Sequence, residues 1–86
     1  MLVDLEKAKR HLSMDDDDAD ETIVEKIEEA SSIVLDYLKL DEAPDPVPGF
    51  VQSATLLAVQ ALFDGGDPLS DTVVRILHRY RDPAFA

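Results

Sequence analysis

The sequence predicts an all-α fold, a small bundle of about four helices with a central Ala/Leu-rich helix. Three observations carry that expectation. Apolar residues recur at spacings of three and four almost throughout, and no segment shows the sustained apolar/polar alternation of a half-buried strand. Two segments, Asp41–Val47 and Asp64–Pro68, break the pattern with proline and glycine. One stretch, Phe50–Phe63, carries no charge in a chain that is 31% charged, as expected of a helix surrounded by others.

The elements follow in order. A first helix is expected over Asp4–Leu12, with Asp4 as N-cap, Leu5, Ala8 and Leu12 on one face, and Lys9, Arg10 and His11 opposing the dipole in the last turn. Ser13–Asp18 breaks it. A long second helix is expected over about Asp20–Leu40, capped by Asp18 or Asp20. Ile23, Ile27, Ala30, Val34 and Leu38 form its stripe, and Val24, Ile33, Leu35 and Tyr37 widen the apolar surface enough for more than one neighbour. Pro44, Pro46 and Pro48 stiffen the linker, and Pro48 suits the first turn of a third helix over Pro48–Phe63. Its core face is expected at Phe50, Ala54, Leu57 and Ala61, with Val51, Ala58 and Leu62 beside it. Gly65–Gly66 stops that helix, Ser70 caps a fourth over Asp71–Tyr80, and Val73, Ile76, Leu77 and Tyr80 form its stripe opposite Arg75, His78 and Arg79. Pro83 ends it, leaving a short tail, 82–86.

Eighty-six residues make one expected domain, 1–86, that buries roughly 63% of its unfolded surface. The absence of cysteine excludes disulfides, Cys-ligated zinc and thiol catalysis. No apolar run approaches the roughly 20 residues of a membrane span, and the opening MLVDLEKAKRHL lacks the apolar core of a signal peptide. A soluble chain with no membrane partner is expected.

The net charge is −11, and residues 1–43 hold 14 of the 19 acids. Such a chain repels duplex DNA at long range, so DNA is expected to pass it without tight binding. The aspartates at 15–18 with Asp20 and Glu21 suggest calcium, but no register fits an EF-hand loop. From Asp15 the sixth and twelfth positions are Asp20 and Lys26; from Asp18 they are Ile23 and Glu29. Glycine is needed at the sixth position and glutamate at the twelfth, so no metal site is assigned. His11 and His78 make no local metal motif, and Ser13 near His11 lacks an orienting acid and an oxyanion hole. Gly65–Gly66 follows a helix and lacks a phosphate-binding lysine. An acyl carrier needs a serine opening its second helix; here that helix opens Asp20-Glu21-Thr22, and Ser70 precedes the last one. No catalytic residue and no cofactor are expected, and the chain is read as no enzyme.

Charge asymmetry remains. Residues 15–29 hold nine acids and the single base Lys26, whereas Arg75, Arg79 and Arg81 cluster near the other end. A chain acidic on one side and basic on another can associate head to tail into rings or filaments, unless the two pair within one copy. Glu21, Glu25, Glu28 and Glu29 are the expected acidic side of such an interface. Arg75, Arg79, Arg81 and Phe85 are its expected counterpart.

Leu5-Glu6-x-Ala8-Lys9-x-x-Leu12, the Asp-rich break and the Ile23–Ala30–Tyr37-Leu38 helix together resemble the N-terminal half of tailed-phage head–tail connector proteins. The Pro-started Ala/Leu helix, the Gly-containing loop and Tyr80-Arg81-Asp82-Pro83 resemble the family's closing half, so the likeness runs from Leu2 to Pro83. The compact Asp64–Pro68 loop and the short tail depart from the pattern. The resemblance implies a structural protein that forms a ring, a dodecamer in the virion, beneath the portal. It implies that the ring extends the DNA channel and docks a head-completion stopper or tail protein. The expected location is the virion head–tail junction, with the host cytoplasm during assembly. The competing class is an acidic DNA mimic or regulatory binding module.

Overall fold

The computed structural model describes residues 2–14 and 17–81, with Tyr80 and Arg81 described as backbone only. It contains α1 (Leu5–Leu12), α2 (Asp20–Leu38), α3 (Gly49–Asp64) and α4 (Asp71–Arg81), and no strand among the described residues. The all-α expectation holds. The expected tail 82–86 lies outside the described residues.

Each helix end has a local cause. The Asp4 carboxylate accepts the Lys7 N–H at 2.8 Å, so the expected N-cap of α1 is in place. At its other end Ser13 turns left-handed (φ 58°), and the Met14 N–H reaches back to the Lys9 carbonyl at 2.9 Å. The expected cap of α2 by Asp18 or Asp20 is corrected: Ala19 holds the N-cap position and no side chain caps the helix. Asp20 is the first helical residue, and its carboxylate is drawn to Lys9. α2 also ends two residues earlier than expected. Lys39 is left-handed (φ 62°), the Leu40 N–H bonds the Leu35 carbonyl at 2.9 Å, and Leu40 folds back onto the core. That hydrophobic closure ends the helix before the prolines do.

Pro48 caps α3 from just outside it, its carbonyl accepting from Val51 and Gln52 at 3.1 Å each. Gly65 (φ 77°) takes the left-handed position after Asp64, and the Gly66 N–H bonds the Ala61 carbonyl at 2.7 Å. The Ser70 hydroxyl then receives the Val73 N–H at 3.4 Å and starts α4 as expected.

α2 and α3 form the spine, and each packs against all three other helices. Their shared core has two parts. Val34, Leu38, Val51, Ala54, Val73 and Leu77 with Leu2 fill one end; Ile23, Ile27, Ala30, Ala8, Ala58 and Val59 with Val3 fill the other. The α2 stripe is as expected. The expected α3 face is corrected: Val51, Ala54, Thr55, Ala58 and Val59 are fully buried, while Phe50, Leu57 and Ala61 are only partly so. Burial on α3 is centred where it meets α2, and the Phe50–Leu57–Ala61 side lies at the edge of that contact. Thr55 is tolerated in the core because its hydroxyl donates to the Val51 carbonyl at 2.7 Å. Leu2 and Val3 were unassigned from sequence. They tuck under the bundle, and the Leu2 N–H donates to the buried Ser31 hydroxyl at 3.0 Å.

Candidate subunit interface

The outward face of α2 is built by subtraction. With Ile23, Ile27, Ala30, Ser31, Val34 and Leu38 turned inward, the opposite side carries Glu21, Glu25, Glu28, Ser32 and Asp36, all exposed. Because an α-helix turns about 100° per residue, Glu21, Glu25 and Glu28 share one line, and Asp36 extends it along the helix. Glu29 sits about 100° around from Glu28. It is also partly answered by its own helix, through a Lys26 Nζ–Glu29 Oε2 contact at 3.7 Å. The four sequence-assigned acids are therefore one row of three plus a flanking residue.

α4 has the same construction with the opposite sign. Val73 and Leu77 are buried, which leaves Arg75, His78 and Arg79 exposed on the far side. Arg79 is partly occupied: its guanidinium carbon lies 5.2 Å from the centroid of the Phe50 ring, a cation–π contact that ties the end of α4 to the start of α3. Among the described residues no ion pair joins Glu21, Glu25 or Glu28 to Arg75 or Arg79. The Arg81 side chain and Phe85, both assigned to the interface from sequence, lie outside the described residues.

A third cluster was missed. Lys9, read from sequence as a helix-end cation, is buried. Its ammonium donates to Asp17 Oδ1 at 2.9 Å and lies 2.9 Å from Asp20 Oδ1, clasping the acidic loop to α1. Asp20 Oδ1 is itself buried and makes no other polar contact among the described residues, so the ammonium answers that oxygen while the rest of the carboxylate is partly exposed. The two carboxylates raise the lysine above its ordinary range, the Asp17 hydrogen bond most and the Asp20 contact next. The Asp17 carboxyl is held below the usual value by the same hydrogen bond. The signal was available in the sequence. Lys9 lies about 40° beyond the arc of Ala8, Leu12 and Leu5, at the border of the buried face, where a cation is held only if a carboxylate meets it. Beside the clasp lies a polar hollow of about 520 Å³ lined by Glu6, Lys9, Arg10, Ser13, Met14 and Asp17. Among the described residues no group of three His, Asp or Glu side chains is arranged to hold a metal ion; Asp15 and Asp16 are outside them. His11 Nε2 lies 2.8 Å from Gln60 Oε1, linking α1 to α3 at the surface.

Between α3 and α4 runs a shallow groove of about 290 Å³, lined by Leu57, Gln60, Ala61, Asp64, Ser70 and Thr72. No helix among the described residues is long and apolar enough to cross a membrane.

The arrangement suits assembly more than chemistry. It presents two outward helical faces of opposite charge and, among the described residues, no convergent set of nucleophile, base and orienting acid. No curated protein and no solved structure matches the chain. A family model does, over residues 2–76, and its description is phage gp6-like head-tail connector protein. The match spans α1 to the middle of α4, and the chain belongs to that family, whose role is structural and whose place is the head–tail junction of the phage particle.

Proposed function

We propose that copies of this chain close into a ring beneath the portal, a dodecamer in the virion, assembled from subunits made in the host cytoplasm. The ring extends the DNA channel and offers the surface on which a head-completion stopper or tail protein docks. The observation that carries this reading is the segregation of charge onto opposite-signed helical faces that, among the described residues, do not pair within one copy. Glu21, Glu25 and Glu28 of one copy then meet Arg75 and Arg79 of the next, with Glu29 at the flank and with Arg81 and Phe85 assigned to the same edge. Such a contact is heterologous, and a heterologous contact closes into a ring when its rotation divides a full turn. Single exposed pairs contribute only about 0–1 kcal/mol, so the charges set orientation while apolar contacts supply most of the affinity. A net charge of −11 keeps the passing DNA unbound. The competing DNA-mimic reading leaves the basic face of α4 without a role.

Native mass spectrometry with negative-stain imaging tests the reading. Wild-type protein is expected to form rings at low salt, and Arg75→Glu with Arg79→Glu to weaken them. Adding Glu25→Lys and Glu28→Lys to that chain is expected to restore them in part. Arg75→Glu alone is the cleaner probe, because Arg79 also stacks on Phe50. Rings in the double arginine variant as abundant as in wild type at low salt would mean that the charged faces do not meet.

A further inference from the structure

Most half-buried apolar side chains of the described residues pack against one of the two core clusters. Ile33 of α2 belongs to neither, and it is the largest side chain of which that is true; Val24, Ala61 and Val74 are the others. Its neighbours one turn away along α2 are Glu29 and Asp36, both exposed, on one side and the apolar Ala30 and Tyr37 on the other. A partly buried apolar side chain that joins neither core cluster and is flanked by carboxylates on one side has the composition of a binding anchor with a polar rim.

The α3–α4 groove has complementary features. Leu57 and Ala61 form its apolar wall, and Gln60, Ser70 and Thr72 add no charge. Its one acid, Asp64, is the last residue of α3. Thr72 lies in the groove, and Arg75 and Arg79 follow it at i+3 and i+7 on the same side of α4. The groove therefore runs on into the basic row.

We propose that Ile33 of one copy seats in the Leu57–Ala61–Thr72 groove of the next, with Glu29 or Asp36 meeting Arg75; this rests on the ring reading above. The spacings agree. Thr72 to Arg75 is a rise of ~4.5 Å, Ile33 to Asp36 the same, and Ile33 to Glu29 ~6 Å. An acid therefore comes level with Arg75 whichever way the two helices run. The partner is a second copy because acidic flanks and basic rim are both present on this one chain. The contact supplies the apolar component that charge pairing alone lacks.

The chain has no cysteine, so introduced thiols report on the contact without background. Ile33→Cys with Ala61→Cys in one chain is expected to give, on mild oxidation, a ladder of covalent multimers on a non-reducing gel, while each single variant gives at most a dimer. Ile33→Asp is expected to weaken assembly by about tenfold or more with an unchanged circular dichroism spectrum, and Val74→Asp, about 160° around α4 from Thr72, to leave assembly within about twofold. Rings without a ladder, or rings in Ile33→Asp as stable as wild type, overturn this contact and leave the ring standing. A wild-type chain that stays monomeric at high concentration and a double-cysteine chain that gives no ladder overturn both.

Discussion

Lys9 shows how one side chain can organise an otherwise repulsive segment. The acidic stretch from Asp15 to Glu21 would drive itself apart without a cation, and the cation comes from one turn before the end of α1. The pH response follows from the directions of the two shifts. The Asp17 carboxyl is lowered in the folded chain, so its contribution is present above its unfolded value near 4 and is lost as pH falls through the folded one. Lys9 is raised, so its contribution is complete below its unfolded value near 10.4 and is lost only as pH rises through the folded one. The clasp thus holds across the neutral range and opens in acid. Lys9→Met keeps the apolar stem and removes the charge. It is expected to melt below wild type at neutral pH, with the gap narrowing below about pH 4 as Asp17 protonates. Thermal melts of both proteins from neutral to acid pH check this; a gap that does not change with pH would assign Lys9 a packing role only.

Among the elements, α3 departs most from its sequence reading. Its run of apolar residues offers several possible inward faces, and neighbours on three sides choose among them. Two substitutions separate the alternatives. Ile27 of α2 is fully buried, and Ile27→Asp places an unpaired charge in the core at several kcal/mol, a large share of the roughly 5–15 kcal/mol that holds a small domain. It is expected to unfold the chain. Leu57, expected from sequence to be a core residue, is partly buried, lining the α3–α4 groove and packing against the core from its edge, so Leu57→Asp is expected to cost less than Ile27→Asp and to leave a chain that still melts cooperatively. Circular dichroism melts distinguish them, and an unfolded Leu57→Asp chain would restore the face read from sequence.

The whole molecule is an elongated body of 44 × 26 × 19 Å with a net charge of −11. Salt therefore acts on it in two opposite ways. Screening relieves repulsion within the acidic half and is expected to raise the melting temperature of the monomer. The same screening weakens pairing between the α2 and α4 faces of adjacent copies and is expected to shift rings toward monomers. Melting and native mass measured across one salt series check both signs. A fall in the monomer's melting temperature with salt would mean that its internal ion pairs outweigh its self-repulsion.

The all-α class, the four helices and the caps at Asp4, Gly65 and Ser70 were legible in the sequence, because spacing, proline, glycine and capping side chains act within one or two turns. Asp4, Ser70 and Gly65 do locally what their chemistry dictates. The α2 stripe was equally legible, since one strong period leaves one way to bury it. Which face of α3 turns inward, where α2 stops and what Lys9 holds depend on groups distant in the chain. Burial on α3 is set by the position of α2, the end of α2 by Leu40 returning to the core, and the Lys9 charge by Asp17 and Asp20 across a loop. The charge asymmetry could be counted along the chain. That the α2 acidic row and the α4 basic row face outward, with no ion pair between them among the described residues, was decided by the tertiary structure, because helix packing consumes the apolar faces first and leaves each charged row wherever the opposite side points.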